Sequence, residues 1–464
     1  MPLIKSISGI RGTIGGCPGE NLTPNDLLAF LSAFARQLRQ KFPEIKKPAV
    51  VLGRDGRISG PLLHDFVRST LCLNGINVLD ADLATTPTVE MAVIQEKAQG
   101  GIILSASHNP RQWNALKLLN EQGEFLSAAD GQELISISQD TQPLYPELDD
   151  LGIVEALPRA LDRHIEAILA LKLVDRETIA KRNFKIVVDG INSVGAFAVP
   201  ALLKSLGLEK VEVINAEVSG EFNHNPEPLD EHLGAIKERV KATGADLGIV
   251  VDPDVDRLAF IDENGVMFGE EYTLVAVADY VLRDYCPCFY QKISVSNLSS
   301  SRALSDVTEK HGGSYCATAV GELNVVDKMK ELKAVIGGEG NGGVIYPELH
   351  YGRDALVGIA LFLSYLAQSD VPVSVFRHAF PDYKMVKNRL DLQVGADLPA
   401  ILARVKQAFV GERINDIDGV KIDWPDSWVH LRASNTEPII RIYAEAKTIE
   451  EAESRVQQIK KIIV

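Results

Sequence analysis

Residues 247–257, LGIVVDPDVDR, are the stretch from which the fold can be worked out. The first five are apolar and rich in β-branched side chains, which is typical of a strand buried on both faces of a sheet. Asp252, Asp254 and Asp256 follow at once, so the strand is predicted to end in a polar loop. Because ligands of open α/β sheets bind beyond the carboxyl ends of the strands, this loop is a candidate site.

Two other parts of the chain repeat this order of an apolar run followed by a polar loop. Residues 101–104 run into residues 105–110, SASHNP, and residues 334–336 run into residues 337–343, GGEGNGG. A strand, a helix and a second strand are predicted before each loop, at residues 49–53, 61–73 and 76–79, at residues 185–189, 196–205 and 211–214, and at residues 293–295, 301–310 and 314–317. Such alternation predicts βαβ units with mostly parallel strands.

The chain changes character at about residue 371. A helix is predicted near residues 397–409, strands at residues 420–422, 428–431 and 439–445, and a last helix from residue 449. We therefore predict an α/β protein with three related mixed-sheet α/β domains and a smaller C-terminal α+β domain around a central cleft. The predicted bounds are residues 1–150, 151–255, 256–370 and 371–464.

Composition excludes several functional classes. The 464 residues are 46% hydrophobic and 24% charged, with a formal net charge of −15, which argues against binding to nucleic acid or anionic membranes. No apolar run of 18 residues and no signal-type N-terminus is evident, and the five cysteines are sparse, with Cys286 and Cys288 too isolated for a zinc site. We expect a cytoplasmic protein, a monomer or homodimer, whose partner is a small molecule.

The three aspartates of the first loop suit a hard cation. Asp252, Asp254 and Asp256 are spaced to surround one ion, and carboxylate oxygens are the ligands of Mg²⁺ or Ca²⁺. An EF-hand is not supported, because the sixth loop position is Arg257 and not glycine. The alternative is a solvated acidic turn. Arg257 would offer a planar fork to a phosphate or sugar oxygen beside the metal.

Ser107 lies where a nucleophile or phosphate carrier would be held rigidly. It stands between a strand end and Asn109-Pro110, with His108 adjacent, and Lys117 follows ten residues later and could return to the same loop. The alternative is a serine-rich turn with a capping role. A serine hydrolase is not supported, because no G-x-S-x-G nucleophile elbow is present.

Two further loops and two arginine segments complete the candidate residues. Glu339 and Asn341 on the glycine-rich loop suit sugar hydroxyls better than phosphate, because a carboxylate repels phosphate. The segment 432–438, RASNTEP, predicts a dianion site, with a plain β-turn as the alternative. Its candidate ligands are Arg432, Ser434, Asn435, Thr436 and, three residues beyond the segment, Arg441. The glycine-flanked segments that contain Arg11 and that contain Arg54 and Arg57 supply either phosphate ligands or members of structural ion pairs.

These motifs resemble those of the α-D-phosphohexomutase superfamily, which includes phosphomannomutase/phosphoglucomutase and phosphoglucosamine mutase. Residues 105–110 resemble the family's phosphoserine loop, residues 252–257 its D-G-D-x-D-R metal loop with Pro253 in place of glycine, residues 338–343 its sugar loop, and residues 432–438 its phosphate loop. The sugar loop lacks the histidine found in many members, so no role of that histidine is transferred. It looks closest to the archaeal-type phosphoglucosamine mutase pattern. Residues 352–355 resemble a G-R-D-G element with alanine last, which puts the local turn in question.

The resemblance implies a reaction and a set of roles. Phosphorylated Ser107 would transfer its phosphoryl group to a sugar monophosphate, giving a hexose 1,6-bisphosphate that serves as intermediate and activator and interconverts hexose 6-phosphate and hexose 1-phosphate. Mg²⁺ would be held by Asp252, Asp254, Asp256 and phospho-Ser107. The remaining implied roles are Arg11, Lys117 and Arg257 around the transferring phosphate, His108 or Lys117 in acid–base work, Glu339 and Asn341 on the sugar, and Arg432, Ser434, Asn435 and Thr436 on the other phosphate.

Several functions stay open at this point. Phosphoglucosamine mutase is favoured by the sugar loop, with phosphomannomutase/phosphoglucomutase as the alternative. A metal-dependent sugar-phosphate phosphatase would use similar residues but release phosphate. A non-catalytic sugar-phosphate-binding protein is disfavoured, because Ser107 and all three aspartates are present together.

Overall fold

The computed structural model describes residues 3–6, 9–140, 145–284, 291–391, 397–433 and 439–463. The chain divides into two compact units, one formed by residues 1–273 with 341–374 and the other by residues 274–340 with 375–464. In the described parts of the chain no helix is both long and apolar enough to cross a bilayer. Cys17, Cys72 and Cys316 are free thiols there, and Cys286 and Cys288 lie outside the described residues.

The first unit begins with a seven-stranded mixed sheet. Its strands are β1 Ile4–Ser6, β2 Gly9–Thr13, β3 Ala49–Arg54, β4 Asn77–Leu83, β5 Gly100–Leu104, β6 Trp113–Leu119 and β7 Val154–Ala156, in the order β1-β2-β6-β5-β3-β4-β7. The central pairs β5–β3 and β3–β4 are parallel, and β5–β6 is antiparallel. The accompanying helices are α1 Pro24–Lys41, α2 Gly60–Leu73, α3 Thr86–Glu96, α4 Ala128–Ile137, α5 Ala160–Leu169 and α6 Arg176–Arg182.

A second, four-stranded sheet completes the sheets of this unit. Its strands are β8 Ile186–Asp189, β9 Val211–Ile214, β10 Leu247–Val251 and β11 Leu258–Asp262, in the order β11-β10-β8-β9. All five residues of β10 are buried, as the apolar run predicted. The helices after β8 and β9 are α7 Gly195–Ser205 and α8 Gly234–Thr243, and α9 Glu270–Asp284 follows β11.

The second unit contains the third and fourth sheets. In the third, β12 Ile293–Asn297 is flanked by β13 Ser314–Thr318 and β14 Ile336–Glu339, both parallel to it, and the helices are α10 Ala303–Lys310 and α11 Glu322–Leu332. Strand β15 Gly343–Ile345, helix α12 Ala355–Ser369 and most of the preceding loop return to the first unit, and α13 Val373–Arg377 follows.

The fourth sheet is antiparallel and covered on one face by helices. Its strands are β16 Lys384–Asp391, β17 Arg413–Asn415, β18 Val420–Asp423, β19 Trp428–Ala433 and β20 Ile439–Ala446, in the order β16-β20-β19-β18-β17, with helices α14 Leu398–Ala408 and α15 Ile449–Ile463. Apolar side chains of α14, α15 and the sheet form one core. The predicted fold class, three α/β domains and a C-terminal α+β domain, is confirmed.

One predicted strand is placed differently. Residues 334–336 were expected to form the strand and residues 337–343 the loop, but β14 runs from Ile336 to Glu339. A Cβ at Gly337 would lie 2.3 Å from Met329 Sδ, so this glycine allows α11 to pack closely on the strand. The loop is therefore shorter than predicted, and Glu339 lies on a strand.

Candidate functional site

The Ser107 loop leaves the end of β5 in a strained conformation. The backbone of Ser107 has a positive φ of 48°, which residues other than glycine rarely adopt. Its backbone N–H donates to Ser105 Oγ at 2.9 Å, and a turn is closed by Asn109 N–H donating to the Ala106 carbonyl at 3.0 Å. Local hydrogen bonds thus hold the loop in a backbone conformation that is unfavourable by itself.

Arg57 is the main support of this loop. Its buried guanidinium donates to four carbonyls, those of Ser107 at 2.5 Å, Asn109 at 2.7 Å, Pro110 at 2.9 Å and Trp113 at 3.0 Å, and to Asp55 Oδ2 at 3.1 Å. Five donors meet five acceptors, which is the full capacity of an arginine side chain. Arg57 therefore belongs to a structural ion pair, one of the two alternatives left open above.

The aspartate loop at the end of β10 is equally constrained. Asp252 Oδ1 accepts the backbone N–H groups of Asp256 and Arg257, both at 3.1 Å, and Val255 between the carboxylates has a positive φ of 63°. All three aspartates are buried, and one oxygen from each lies within 4.8 Å of the others. This is a closed carboxylate cluster and not the solvated acidic turn that was the alternative.

The two loops meet at a single hydrogen bond. Ser107 Oγ donates to Asp252 Oδ2 at 2.6 Å. Asp254 Oδ1 and Asp256 Oδ1 are buried and have no hydrogen-bond partner among the described residues. Buried carboxylate oxygens without donors are costly unless a cation neutralises them, so the donor set fits a hard divalent ion such as Mg²⁺. Ser107 is the hydroxyl beside that position.

The carboxylates differ in their electrostatic surroundings. Burial, together with the charges of Asp256 and Asp254, raises the pKa of Asp252 well above its usual value. Burial also acts on Asp254, but Lys117 outweighs it and lowers the pKa of that carboxyl below its usual range. Lys117 therefore favours the ionised form of Asp254, whereas the neighbouring carboxylates disfavour that of Asp252.

Lys117, Thr86 and Arg353 surround the aspartates, and the sequence had assigned no site role to Thr86 or Arg353. Lys117 on β6 donates from Nζ to Asp254 Oδ2 at 2.5 Å, and Thr86 Oγ1 donates to the same oxygen at 2.6 Å. Arg353 Nη2 donates to Asp256 Oδ2 at 2.9 Å. Thr86 opens α3 and Arg353 precedes α12, so neither lies in a loop that follows a parallel strand.

The other predicted residues of this unit lie around Ser107. Arg11 on β2 donates to Asn109 Oδ1 at 2.9 Å, and His108 Nδ1 lies 3.4 Å from Ser107 Oγ. Burial and the charges of Arg257, Arg11 and Arg353 lower the pKa of His108 well below its usual value. Arg257 extends to Glu227, whose Oε1 is 3.1 Å from its Nη1, and Glu227 had no sequence signal.

The sugar-loop residues are held from two sides. Glu339 Oε1 accepts from Asn297 Nδ2 at 3.0 Å, and the Glu339 side chain is buried. Asn341 Oδ1 accepts the backbone N–H of Gly343 at 3.2 Å. Gly342, between Asn341 and Gly343 in the sequence, has a positive φ of 83°. A Cβ at this position would lie 2.1 Å from the Leu258 carbonyl oxygen. This glycine is therefore required by the backbone and not by a ligand.

Three arginines form a row across the fourth sheet. Arg441 on β20 is directly opposite Arg432 on β19 and directly opposite Arg389 on β16. Directly paired residues point to the same face, and this face is the one opposite α14 and α15. Among the described residues, Asp418 is a nearby counter-charge, with Oδ2 3.7 Å from Arg432 Nε. Like charges opposite one another destabilise a sheet, so the row is suited to an anion.

The structure adds one arginine to the two that the sequence predicted for this site. Arg432 and Arg441 were predicted, and Arg389 was not, because it is about forty residues earlier in a segment without motif character. Ser434, Asn435 and Thr436 lie outside the described residues. Arg432 is on β19 and Arg441 is on β20, the strands that precede and follow that segment in the sequence.

The element at residues 352–355 needs no glycine in its last position. Asp354 caps α12, its Oδ1 accepting from Leu356 N at 2.8 Å and Val357 N at 3.3 Å, so Ala355 is simply the first helical residue. The question that the alanine raised about this turn is thereby answered.

Comparison with known proteins gives a consistent result along the whole chain. Residues 4–143, 162–265 and 270–383 match the alpha/beta/alpha domains I, II and III of phosphoglucomutase/phosphomannomutase, and residues 386–462 match its C-terminal domain. The chain is 37% identical over 449 residues to a phosphoglucomutase/phosphomannomutase of Thermococcus kodakarensis, covering 95% of each protein. It is 32% identical to a probable phosphoglucosamine mutase of Methanopyrus kandleri, covering 96% of this chain and 94% of the relative.

Solved structures agree on the fold. A crystal structure described as a putative phosphomannomutase from Thermus thermophilus superposes with a TM-score of 0.82 at 24% identity, covering 100% of this chain and 99% of the other.

Proposed function

Because the chain belongs to the phosphoglucomutase/phosphomannomutase family, a family of isomerases that move a phosphoryl group, we propose that it interconverts hexose 6-phosphate and hexose 1-phosphate through a phosphoserine at Ser107. The observation that carries this proposal is the hydrogen bond of 2.6 Å between Ser107 Oγ and Asp252 Oδ2. It joins a rigidly held hydroxyl to a buried carboxylate cluster suited to Mg²⁺, the pairing that phosphoryl transfer needs.

The transfer conserves phosphate and protons. The O–P bond to Ser107 Oγ breaks as a new O–P bond forms to the free hydroxyl of the hexose monophosphate. The proton of that hydroxyl passes to a nearby base, and Ser107 Oγ takes up a proton as it becomes a hydroxyl again. The product is hexose 1,6-bisphosphate. This intermediate must reverse its orientation in the site before Ser107 accepts its other phosphoryl group. His108, 3.4 Å from Ser107 Oγ, is placed to exchange the proton. Lys117 contributes positive charge to the same site.

Asp252, Asp254 and Asp256 would hold the Mg²⁺, with phospho-Ser107 as a further ligand. When bound, the ion supplies charge that offsets the negative charge of the transferring phosphoryl group. Arg353 and Thr86 keep the outer carboxylate oxygens of Asp256 and Asp254 in place, at 2.9 Å and 2.6 Å. Arg11 and Arg257 would contact the transferring phosphate.

The non-transferring phosphate is assigned to the arginine row and the adjoining loop. Arg432 and Arg441 would pair with it, together with Ser434, Asn435 and Thr436. The support is the direct pairing of Arg441 with two other arginines, an arrangement that an anion stabilises. Glu339 and Asn341 would accept hydrogen bonds from the sugar.

Glucosamine phosphate is the proposed sugar. The sugar loop lacks a histidine, and several relatives carry the name probable phosphoglucosamine mutase. A carboxylate such as Glu339 can accept from an ammonium group as well as from a hydroxyl. Mannose and glucose phosphates are the second candidates, favoured by the relative with 37% identity.

One experiment tests the covalent mechanism. The intact mass of the purified protein should show one phosphoryl group, which Ser107→Ala lacks and the variant of the exposed Ser136, Ser136→Ala, keeps. Ser107→Ala should have no mutase activity, and enzyme stripped of phosphate should regain activity with hexose 1,6-bisphosphate. Full activity of Ser107→Ala would rule out the phosphoserine.

A substrate panel tests the rest. We expect the highest kcat/KM with glucosamine phosphate, compared with mannose and glucose phosphates under the same conditions. Inorganic phosphate measured in the same reactions separates a mutase from a phosphatase. Stoichiometric phosphate release without isomerisation would identify a phosphatase and refute the proposal.

A further inference from the structure

A second buried cluster in the first unit consists of residues that the proposed reaction does not use. His164 on α5, His350 in the loop before α12, and Asp354 at the cap of α12 are each less than 5% exposed. Their ligand atoms lie within 4.8 Å of one another. Two imidazoles and a carboxylate converging in the interior are the donor set of a borderline metal ion and not of Mg²⁺.

The distances fit a single central ion. His164 Nε2 is 2.9 Å and His350 Nε2 is 3.4 Å from Asp354 Oδ2. Ligand atoms about 2.0–2.1 Å from a tetrahedral Zn²⁺ are about 3.3 Å apart. Both distances are within a few tenths of an ångström of that separation, and all three ligand atoms lie within 4.8 Å of one another.

The outer nitrogens of both rings have partners of the kind found around metal ligands. Thr88 Oγ1 lies 3.0 Å from His164 Nδ1, and Glu90 Oε2 lies 3.5 Å from His350 Nδ1. Both partners are on α3 and fully buried. A metal-bound histidine normally directs its other ring N–H to such an oxygen, which fixes the tautomer and leaves the inner nitrogen free to bind the metal.

One ring nitrogen of the cluster is left without a hydrogen bond. His350 Nδ1 is buried and has no hydrogen-bond partner of acceptable geometry among the described residues, although Glu90 Oε2 lies 3.5 Å away. A metal at the inner nitrogen would direct the Nδ1 proton at that carboxylate.

The backbone makes room for this arrangement at Gly352. A Cβ there would lie 2.1 Å from Glu90 Oε2 and 2.9 Å from His350 Cε1. Because both side chains are buried, neither could move aside easily. The glycine therefore allows the carboxylate and the imidazole to approach the same stretch of backbone.

We propose that His164, His350 and Asp354 bind a Zn²⁺ ion, with a water molecule as the fourth ligand, and that this ion ties α3, α5 and the start of α12 together. These elements also supply Thr86 and Arg353, which contact Asp254 and Asp256. Loss of the zinc should therefore loosen the supports of the aspartate cluster without removing any of its ligands. The proposal rests on residues outside the proposed reaction and stands or falls separately from it.

Cobalt substitution gives a readout that does not depend on activity. Metal-free protein is titrated with Co²⁺ in the presence of excess Mg²⁺, so that Mg²⁺ competes for any binding at the aspartate cluster. One equivalent of four-coordinate Co²⁺ with nitrogen and oxygen ligands should appear by its intense visible bands, whereas six-coordinate Co²⁺ gives weak ones. Zn²⁺ should displace it one for one, and elemental analysis of untagged protein should find one zinc per chain.

Two variants test whether the visible bands of Co²⁺ come from the proposed histidine site. His350→Gln should lower Zn²⁺ affinity at least 100-fold and abolish the intense bands. The matched control is His311→Gln, since His311 pairs with a single carboxylate, Asp279, at 2.8 Å. Zn²⁺, and not Mg²⁺, should raise the Tm of metal-free wild type and leave that of His350→Gln unchanged. If wild type shows only weak bands, or His350→Gln binds Co²⁺ as wild type does, the proposal is wrong. The wild-type spectrum decides even if the variant does not fold.

Discussion

Replacing Arg57 with lysine should disturb the Ser107 loop more than any other change that preserves charge. The guanidinium makes five hydrogen bonds, four of them to the carbonyls of Ser107, Asn109, Pro110 and Trp113. An ammonium has three donors, so at least two buried acceptors lose their partner. Each buried acceptor left without a partner costs about 1–3 kcal/mol, which gives about 2–6 kcal/mol in total.

Hydrogen exchange measures this loss where it occurs. Because a tenfold change corresponds to about 1.4 kcal/mol, the amides of residues 105–113 should exchange at least about 30 times faster in Arg57→Lys. We also expect kcat to fall at least about tenfold, since small displacements of a reacting group are costly in rate.

Arg54→Lys is the matched control. Arg54 is three residues earlier and pairs with Asp82, whose side chain is 61% exposed, so its replacement should cost less than about 1 kcal/mol. If Arg57→Lys and Arg54→Lys had the same exchange rates and the same kcat, the proposed support of the Ser107 loop would be refuted.

Three further changes test other parts of the structure. Asp254→Asn should raise the Mg²⁺ concentration needed for half-maximal activity at least about tenfold, because it removes a charged ligand; an unchanged requirement would contradict the metal assignment. Arg441→Ala should raise KM for the sugar phosphate by about 10–100-fold, from a lost charge-assisted contact of about 1.5–3 kcal/mol, and the exposed Arg413→Ala should not; equal KM values would exclude the arginine row. Burial lowers the pKa of His430 to about 4, below that of the unfolded chain. The unfolded state therefore binds the extra proton between about pH 6.5 and pH 4, so stability from this group is complete above pH 6.5 and is lost as the pH falls to 4. Urea unfolding should show a loss of up to about 3 kcal/mol over this range that is absent in His430→Gln; parallel curves would contradict it.

The aspartate and serine loops could be predicted because their signals are local. An apolar run such as residues 247–251 sets a strand, and the residues after it must lie at the carboxyl end of that strand. The candidate residues Ser107, Asp252, Asp254 and Asp256 therefore followed from order along the chain. That Ser107 and Asp252 share a hydrogen bond across 145 residues needed the assumption that related units converge.

The supporting residues could not be predicted in this way. Thr86 contacts Asp254 across 168 residues, Arg353 contacts Asp256 across 97, and His164 contacts Asp354 across 190. Each stands at a helix start or on a helix face, where its residue type has ordinary structural uses. Only packing shows that it points into a site.

For the glycine-rich segment, the sequence led to a wrong prediction and not to a missing one. Its composition predicted a loop from residue 337, although β14 continues to Glu339. Glycine marks both flexible loops and places where two elements approach closely, and the sequence does not distinguish them. The distance of 2.3 Å from a Cβ at Gly337 to Met329 Sδ identifies the second case.

The sequence by itself therefore determined the order of strands and helices, the three related α/β domains with a distinct fourth, and the candidate loops, because periodicity and motif spacing are properties of neighbouring residues. The tertiary structure decided which distant side chains hold those loops. Arg57 could have been a phosphate ligand or a scaffold, and its five buried hydrogen bonds made it a scaffold. The physical reason is that a buried charge takes its role from the partners that surround it, and those partners are brought together only by folding.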